Sequence, residues 1–445
     1  MDNGSGVPVR SCIRAFVHSC IFAVSVSVLP AIALGQPPTP VERVTFQQAI
    51  DRATRNNPSA AVAAAVILRA DGLLRQARAA TLPQVNGSIV TTTLNTGVSF
   101  EGATVTPQNQ VTASLTADMP IVAAAAWARR TQAQDNVAVA QLAAAETRRQ
   151  IAMSTADAYL SIIALRRVID ANTRARDAAK AHYDLANQLE QQGRGSRLNV
   201  LRAQQQWSID DGIVEVASLA LYRAQEALGV LLVAPGAVDA ADEPAFALPA
   251  DASEVANQPN NFAPDLLAFR SDLKLFSGQV QAADRVVQDS SRDWWPSLDA
   301  VFLPQSVYPG QFFVSPNSWR FLLQASIPLF DSGQRAGLKV QRQAALDAAQ
   351  ANLTGGISLA AAQVRTAREA VASGERSLVS LRAAADEAQQ VVNIVNVSFR
   401  TGAATNIEVI DAERTARDTD NGVAAAEDNL RRARLDLLIA LGRFP

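Results

Sequence analysis

Small and apolar residues recur along the second half of the chain at Leu353, Ile357, Ala360, Val364, Ala367, Val371, Gly374, Leu378, Leu381, Ala385, Ala388, Val392, Val395 and Phe399, with spacings of four and three in alternation. A sustained period of 3.5 forms one seam along a long helix and imposes a left-handed supercoil on its partner. The spacing predicts a helix over about 333–400. A rougher seam (Ile151, Ala158, Ile162, Leu165 and Ile169, which Arg148 does not fit) predicts another over 121–192, a stretch without Pro or Gly. At 1.5 Å per residue it would reach ~108 Å, far beyond an ordinary globular helix. Return helices are expected over 198–228 and 407–441. Elsewhere the period drops to two. Val111, Ala113, Leu115, Ala117 and Met119 alternate with polar residues, and Trp319, Phe321, Leu323, Ala325 and Ile327 stand at every second position. These runs predict amphipathic strands over about 109–119 and 318–327, with less regular companions over 84–96 and 297–304. Residues 97–108 read as a loop. A short helix from Val44 is interrupted at Pro58, and an Ala-rich helix follows to residue 82.

The two halves carry the same series of landmarks. Gly193 matches Gly402, 209 positions on, and Pro83, Pro120 and the pair Leu228-Gly229 match Pro296, Pro328 and Leu441-Gly442. Pro58 is matched with Pro264. The series predicts a tandem duplication far longer than the units of ordinary repeat proteins. The first structural repeat spans 36–232, a Pro- and acid-bearing connector 233–263, and the second repeat 264–445.

Composition narrows the class. A net charge of −2 gives no footprint for nucleic acid. Arg10 and Arg14 precede an apolar run from Ile21 to Leu34, and small Ala33 and Gly35 follow, so residues 1–35 read as a secretory signal peptide. Both cysteines, Cys12 and Cys20, lie in this leader, and Cys20 precedes the apolar run where a lipidated cysteine would follow it. One remaining histidine, His182, supplies neither a metal cluster nor a catalytic set, so no enzyme activity, metal or cofactor is expected.

Four amphipathic strands leave open edges, which a membrane does not tolerate. One chain is too small to close a barrel, and two would give an eight-stranded one filled by its own side chains. Three chains would enclose a lumen.

SIPLFDSGQRAGLKVQRQAALDAAQ, FRTGAATNIEVIDAERTARD, NNPSAAVAAA and the terminal LIALG resemble segments of the TolC-type outer-membrane efflux protein family. MPIVAAAAWAR in the first half departs from the family's Pro-Leu-Phe-type junction. The resemblance implies a mainly α fold with membrane β: a trimeric 12-stranded β-barrel continuing into a long α-helical coiled-coil barrel. It further implies a passive homotrimeric duct in the cell outer membrane, with its helical domain in the periplasm. Such a duct would serve a tripartite efflux or type I secretion system, beside a periplasmic adaptor, an inner-membrane pump or ABC exporter, and outer-membrane lipid. A structural or adhesive coiled coil, or an adaptor, is the alternative.

Candidate site residues cluster at the two helix-to-helix turns. Gly193, Gly195 and Ser196 match Gly402, Ala404 and Thr405; the resemblance implies contact with an adaptor, whereas turn chemistry alone also calls for Gly. Glu408 and Asp411 share a helix face, and by resemblance they line the closed aperture; an acidic first helical turn is the plain alternative. Arg197 and Arg202 are candidates to pair with them across adjacent tips. Trp294, Trp295 and Trp319 bracket the second pair of strands as membrane-interface aromatics.

Overall fold

The computed structural model describes residues 41–247, 263–311 and 315–444. The signal peptide, with Cys12 and Cys20, and the connector residues 248–262 lie outside the described residues.

The period-2 runs form one antiparallel sheet. Its strands are β2 (Gln84–Thr93), β5 (Asn109–Val122), β7 (Ser297–Tyr308) and β8 (Asn317–Ser326), in the order β2-β5-β7-β8. The register sorts the side chains into two faces. Val85, Ala117, Phe302 and Phe321 form one cross-strand row, and Met119, Ala300 and Leu323 another on the same face. Ser88, Ser114, Gln305 and Ser318 form a row on the opposite face, where the Ser88 and Ser114 hydroxyls are 2.7 Å apart. The first face is mainly apolar and the second largely polar, although Val301, Leu303, Val307 and Leu322 also stand on the second, where β7 does not alternate strictly. The apolar face is uncovered within the chain: Ile89 is 77% and Leu323 61% exposed.

Three expectations change here. The loop at 97–108 holds a small hairpin, β3 (Val98–Phe100) with β4 (Ala103–Thr106). Strand β5 runs beyond Pro120 to Val122, so the long helix starts three residues later than 121. Pro120 is tolerated because the register with β7 shifts between Pro120 and Val122, where an interruption of the hydrogen-bond ladder costs little. The return helix ends at Leu232, not at 228.

The helices are α1 (Phe46–Asn56), α2 (Pro58–Ala79), α3 (Ala124–Gln191), α4 (Arg197–Leu232), α5 (Ala263–Phe269), α6 (Ser271–Gln288), α7 (Gln334–Thr401) and α8 (Asn406–Ala440). Helices α3 and α7 each have 68 residues, about 100 Å of rise. All fourteen seam positions of α7 are buried or half-buried. Helix α4 packs on α3, α8 on α7, and α3 meets α8, giving an arc α4-α3-α8-α7. Helix α6 lies against both α3 and α7, whereas α2 has α3 as its main partner. No helix among the described residues is long and apolar enough to cross a membrane.

The same hydrogen bonds recur in both hairpins at a shift of 209. Gly193 N–H donates to Glu190 O, and Gly402 N–H to Phe399 O; Val233 N–H donates to Val230 O, and Gly442 N–H to Ile439 O. All four donors have left-handed backbones. Two sequence matches are therefore corrected. The counterpart of Gly442 is Val233, not Gly229, because the helix ends four residues later than a Leu-Gly pair indicates. Pro58 is the first residue of α2, directly before a strand, while Pro264 lies in α5, one helix earlier; Ser271 takes the place matching Pro58.

Part of the connector is built into the fold. Strand β1 (Glu42–Val44) pairs in parallel with β6 (Val238–Ala240). They strap the middle of α3 at Tyr159, whose fully buried ring meets Phe46 edge-on at 5.4 Å. The Tyr159 hydroxyl accepts from Asp242 N–H at 3.1 Å, and its one proton is shared between the nearer Asp242 carboxylate and Val44 O at 3.1 Å.

Candidate functional site: the helix tips and the membrane face

Both tips are built by turn chemistry. Gly193 (φ 73°) and Gly402 (φ 80°) supply left-handed backbones. At Gly195 a Cβ would sit 3.0 Å from Glu190 N and 3.2 Å from Leu189 Cβ, so this turn closes tightly on α3. Ser196 caps α4 by accepting from Asn199 N–H at 3.3 Å. Thr405 caps α8, and Glu408 completes a capping box, its carboxylate accepting from Thr405 N–H at 2.7 Å.

Glu408 is therefore engaged with its own helix, at an exposed site. Asp411, Arg197 and Arg202 are exposed as well, and within the chain neither arginine forms an ion pair with Glu408 or Asp411 among the described residues.

What joins the hairpins is a set of polar contacts that sequence reasoning missed. His182 on α3 and Asn406 on α8 are both buried, with His182 Nε2 2.7 Å from Asn406 Oδ1 and the imidazole 5.1 Å from the Phe399 ring. Burial holds His182 below the usual imidazole range, and the Asn406 hydrogen bond opposes that shift. Asn421 on α8 donates to Asn172 on α3 at 2.9 Å. Arg417 on α8 pairs with Asp210 on α4 at 2.5 Å, nearly enclosed. Glu413, also on α8, is pushed up to about 7, by burial first and then by the charge of Asp210. In the sequence His182 stands out only as a lone imidazole without metal-ligating company, which does not mark it as a joint. Asn172, three positions after Ile169, continues the α3 seam and was the available signal.

The aromatic candidates lie by the strands. Trp294 and Trp295 are exposed just before β7, with the Arg335 guanidinium 5.0 Å from the Trp294 ring centroid. Trp319, on the apolar face near the start of β8, is 6.1 Å from Phe302.

A sheet with one bare apolar face, continued by ~100 Å helical hairpins, defines a membrane-seated protein whose helices stand outside the bilayer. The description that fits is a family model, Outer membrane efflux protein, which matches residues 49–232 and 263–443; the chain belongs to this family, whose TolC-like members are outer-membrane channels. Outer membrane protein OprJ of Pseudomonas aeruginosa is 27% identical over 232 residues, 50% of this chain and 47% of OprJ. The matched stretch thus spans about half the length of that relative. The fold is similar to the outer membrane protein VceC of Vibrio cholerae, with a TM-score of 0.75, 18% identity and coverage of 89% of this chain and 96% of VceC. The CmeC outer membrane channel of Campylobacter jejuni gives 0.76 at 15% identity, covering 92% and 90%. The protein is located in the outer membrane of a Gram-negative cell.

Proposed function

We propose that this chain is the channel of a tripartite efflux or type I secretion system: a passive homotrimeric duct, not an enzyme. Each chain is two tandem structural repeats, and three chains close a barrel of 12 strands, four from each. Small molecules or polypeptides leave through it, handed on by an inner-membrane pump or ABC exporter and a periplasmic adaptor that meets the tips at Gly193, Gly195, Ser196, Gly402, Ala404 and Thr405. Glu408 and Asp411 line the aperture with Arg197 and Arg202, and Trp294, Trp295 and Trp319 sit at the lipid interface.

The observation that carries this reading is that sheet and arc are unfinished at both ends in the same sense. Strands β2 and β8 are free edges. They run in opposite directions, because neighbouring strands of the sheet alternate, so β8 of one copy meets β2 of the next antiparallel. Helices α4 and α7 end the arc and bear uncovered apolar residues such as Val216 (72% exposed) and Val379 (71%). A head-to-tail contact of this kind builds a ring when its rotation closes, as it does for three copies on this reading. The purified chain is expected to be trimeric by mass in detergent, to migrate differently on a gel when boiled, and to form ion-conducting pores in planar bilayers. A monomer without conductance would refute the reading and leave a structural or adhesive coiled coil.

A further inference from the structure

The charges of the membrane sheet sort by face and by height. Asp118 on β5, Asp299 on β7 and Arg320 on β8 are the charged residues of its four strands. The register places all three on the face of Ser88, Ser114, Gln305 and Ser318, and none beside Phe302 and Phe321. A charge on the lipid side of a barrel strand is costly, whereas the lumen side keeps it in water. On the trimeric channel reading, on which this inference rests, the charged face lines the lumen.

Height separates the signs. Strands β5 and β8 both run toward the long helices that follow them. Asp118 is paired with Gln84 and Val301, and Asp299 with Pro120 and Gln324, so the two carboxylates are diagonal neighbours near the helix end of the sheet. Arg320 precedes Gln324 by four residues, about 14 Å of strand toward the end away from the helices. No strand neighbour neutralises it. Arg320 is exposed, and among the described residues it forms no ion pair. Its partner on β7 is Leu303, and the next copy's β2 would supply only uncharged residues on its other side. Pro120 and Pro328 align the two repeats, which puts Thr112 in the place of Arg320, so each chain contributes one guanidinium at this height.

We propose that the three Arg320 side chains form a cationic ring in the outer part of the barrel lumen, a binding station for polyvalent oxyanions such as phosphate- or carboxylate-bearing solutes. A guanidinium presents paired donors that match such oxygens, and three around one lumen concentrate anions as a cleft of single sign does. Asp118 and Asp299 set the opposite field at the helix end. An anion travelling outward is repelled first and retained afterwards, and an anion arriving from the barrel side reaches the ring directly.

The test uses the full-length chain, whose residues 41–445 contain no native cysteine. Inorganic triphosphate added at the barrel side of a planar bilayer should block the parent channel, and at lower concentration than from the helix side. In R320Q the blocking concentration should rise about tenfold, the lower end of what a cleft of one sign adds to ion association. R320C should lose the block likewise and regain it, within the same channels, on reaction with a cationic aminoethyl thiosulfonate. F321C, whose side chain lies on the lipid face, should not respond to that reagent. A parent channel indifferent to triphosphate overturns the proposal. So does block of equal strength in R320Q and parent, or an R320C channel that conducts but regains no block with the reagent. A protein that is monomeric by mass and does not conduct fails the channel reading itself, a distinct result.

Discussion

Asn57 and Arg270 fill equivalent places with different chemistry. Each precedes a helix, α2 or α6, and each reaches across to the closing turn of a return helix. Asn57 Nδ2 donates to Leu231 O at 3.3 Å, and Arg270 Nη1 to Ala440 O at 3.1 Å. The last carbonyls of a helix have no partner within it, so each buried side chain supplies a missing donor. Nothing in an Asn-to-Arg comparison of the sequence reveals this shared role. Tyr159 works similarly at the strap, where one hydroxyl serves Val44 O and the Asp242 amide. Burial and the Asp242 carboxylate push its phenol well above the usual range, so it stays protonated and available as a donor. Tyr159→Phe leaves the buried Asp242 amide unpaired, whereas Val44 O keeps Ala241 N–H at 2.9 Å, and the change is expected to cost about 1–3 kcal/mol. Denaturant unfolding followed by circular dichroism measures it, and a loss below about 0.5 kcal/mol would show that the strap does not depend on this hydroxyl.

Among the elements, α8 bears the most consequential charges. Glu413, facing Asp210, has its carboxyl raised to about 7 from an ordinary 4.5. A raised carboxyl favours the packed state fully below 4.5 and loses that contribution as the pH climbs to about 7. Glu413→Gln removes the ionisable group, so its melting temperature should exceed that of the parent at pH 8, with the gap closing toward pH 4. Equal gaps at both pH values would count against the assigned cause. The elements themselves were legible because periodicity speaks for whole segments. Fourteen spaced residues announced α7, and the alternation from Val111 to Met119 announced β5. The tip contacts were not legible: a buried His–Asn pair depends on α3 meeting α8, and no local pattern encodes which helices meet. Local turn chemistry misled at Gly229, where a Leu-Gly pair imitated a helix end that Val233 makes instead.

At the scale of the whole molecule, the aperture reading concerns charges brought close only by assembly. Glu408 and Asp411 are exposed on the first turns of α8, so three copies would ring the end with carboxylates. Glu408→Gln preserves the capping box, because Gln also serves at that position. The double variant E408Q/D411N should therefore keep the fold while moving the reversal potential in a salt gradient toward zero, away from cation preference. An unchanged reversal potential would remove these residues from the aperture. The capping role of Glu408 is foreseeable from Thr405 three residues before it, whereas the aperture role of Glu408 and Asp411 rests on resemblance alone.

The central pairing of the sheet carries a consequence for biogenesis. Strand β5 pairs with β7, bringing Val111 beside Tyr308, while α3 and α4 join across a turn of a few residues. Local contacts form quickly, and contacts between distant parts of the chain form late. The helical hairpins are thus the early products of folding. The surface that enters lipid has no central pair until both halves of the chain have been synthesised and exported. Insertion is the closing event in the life of the newly made protein, and the apolar face needs protection from water until then.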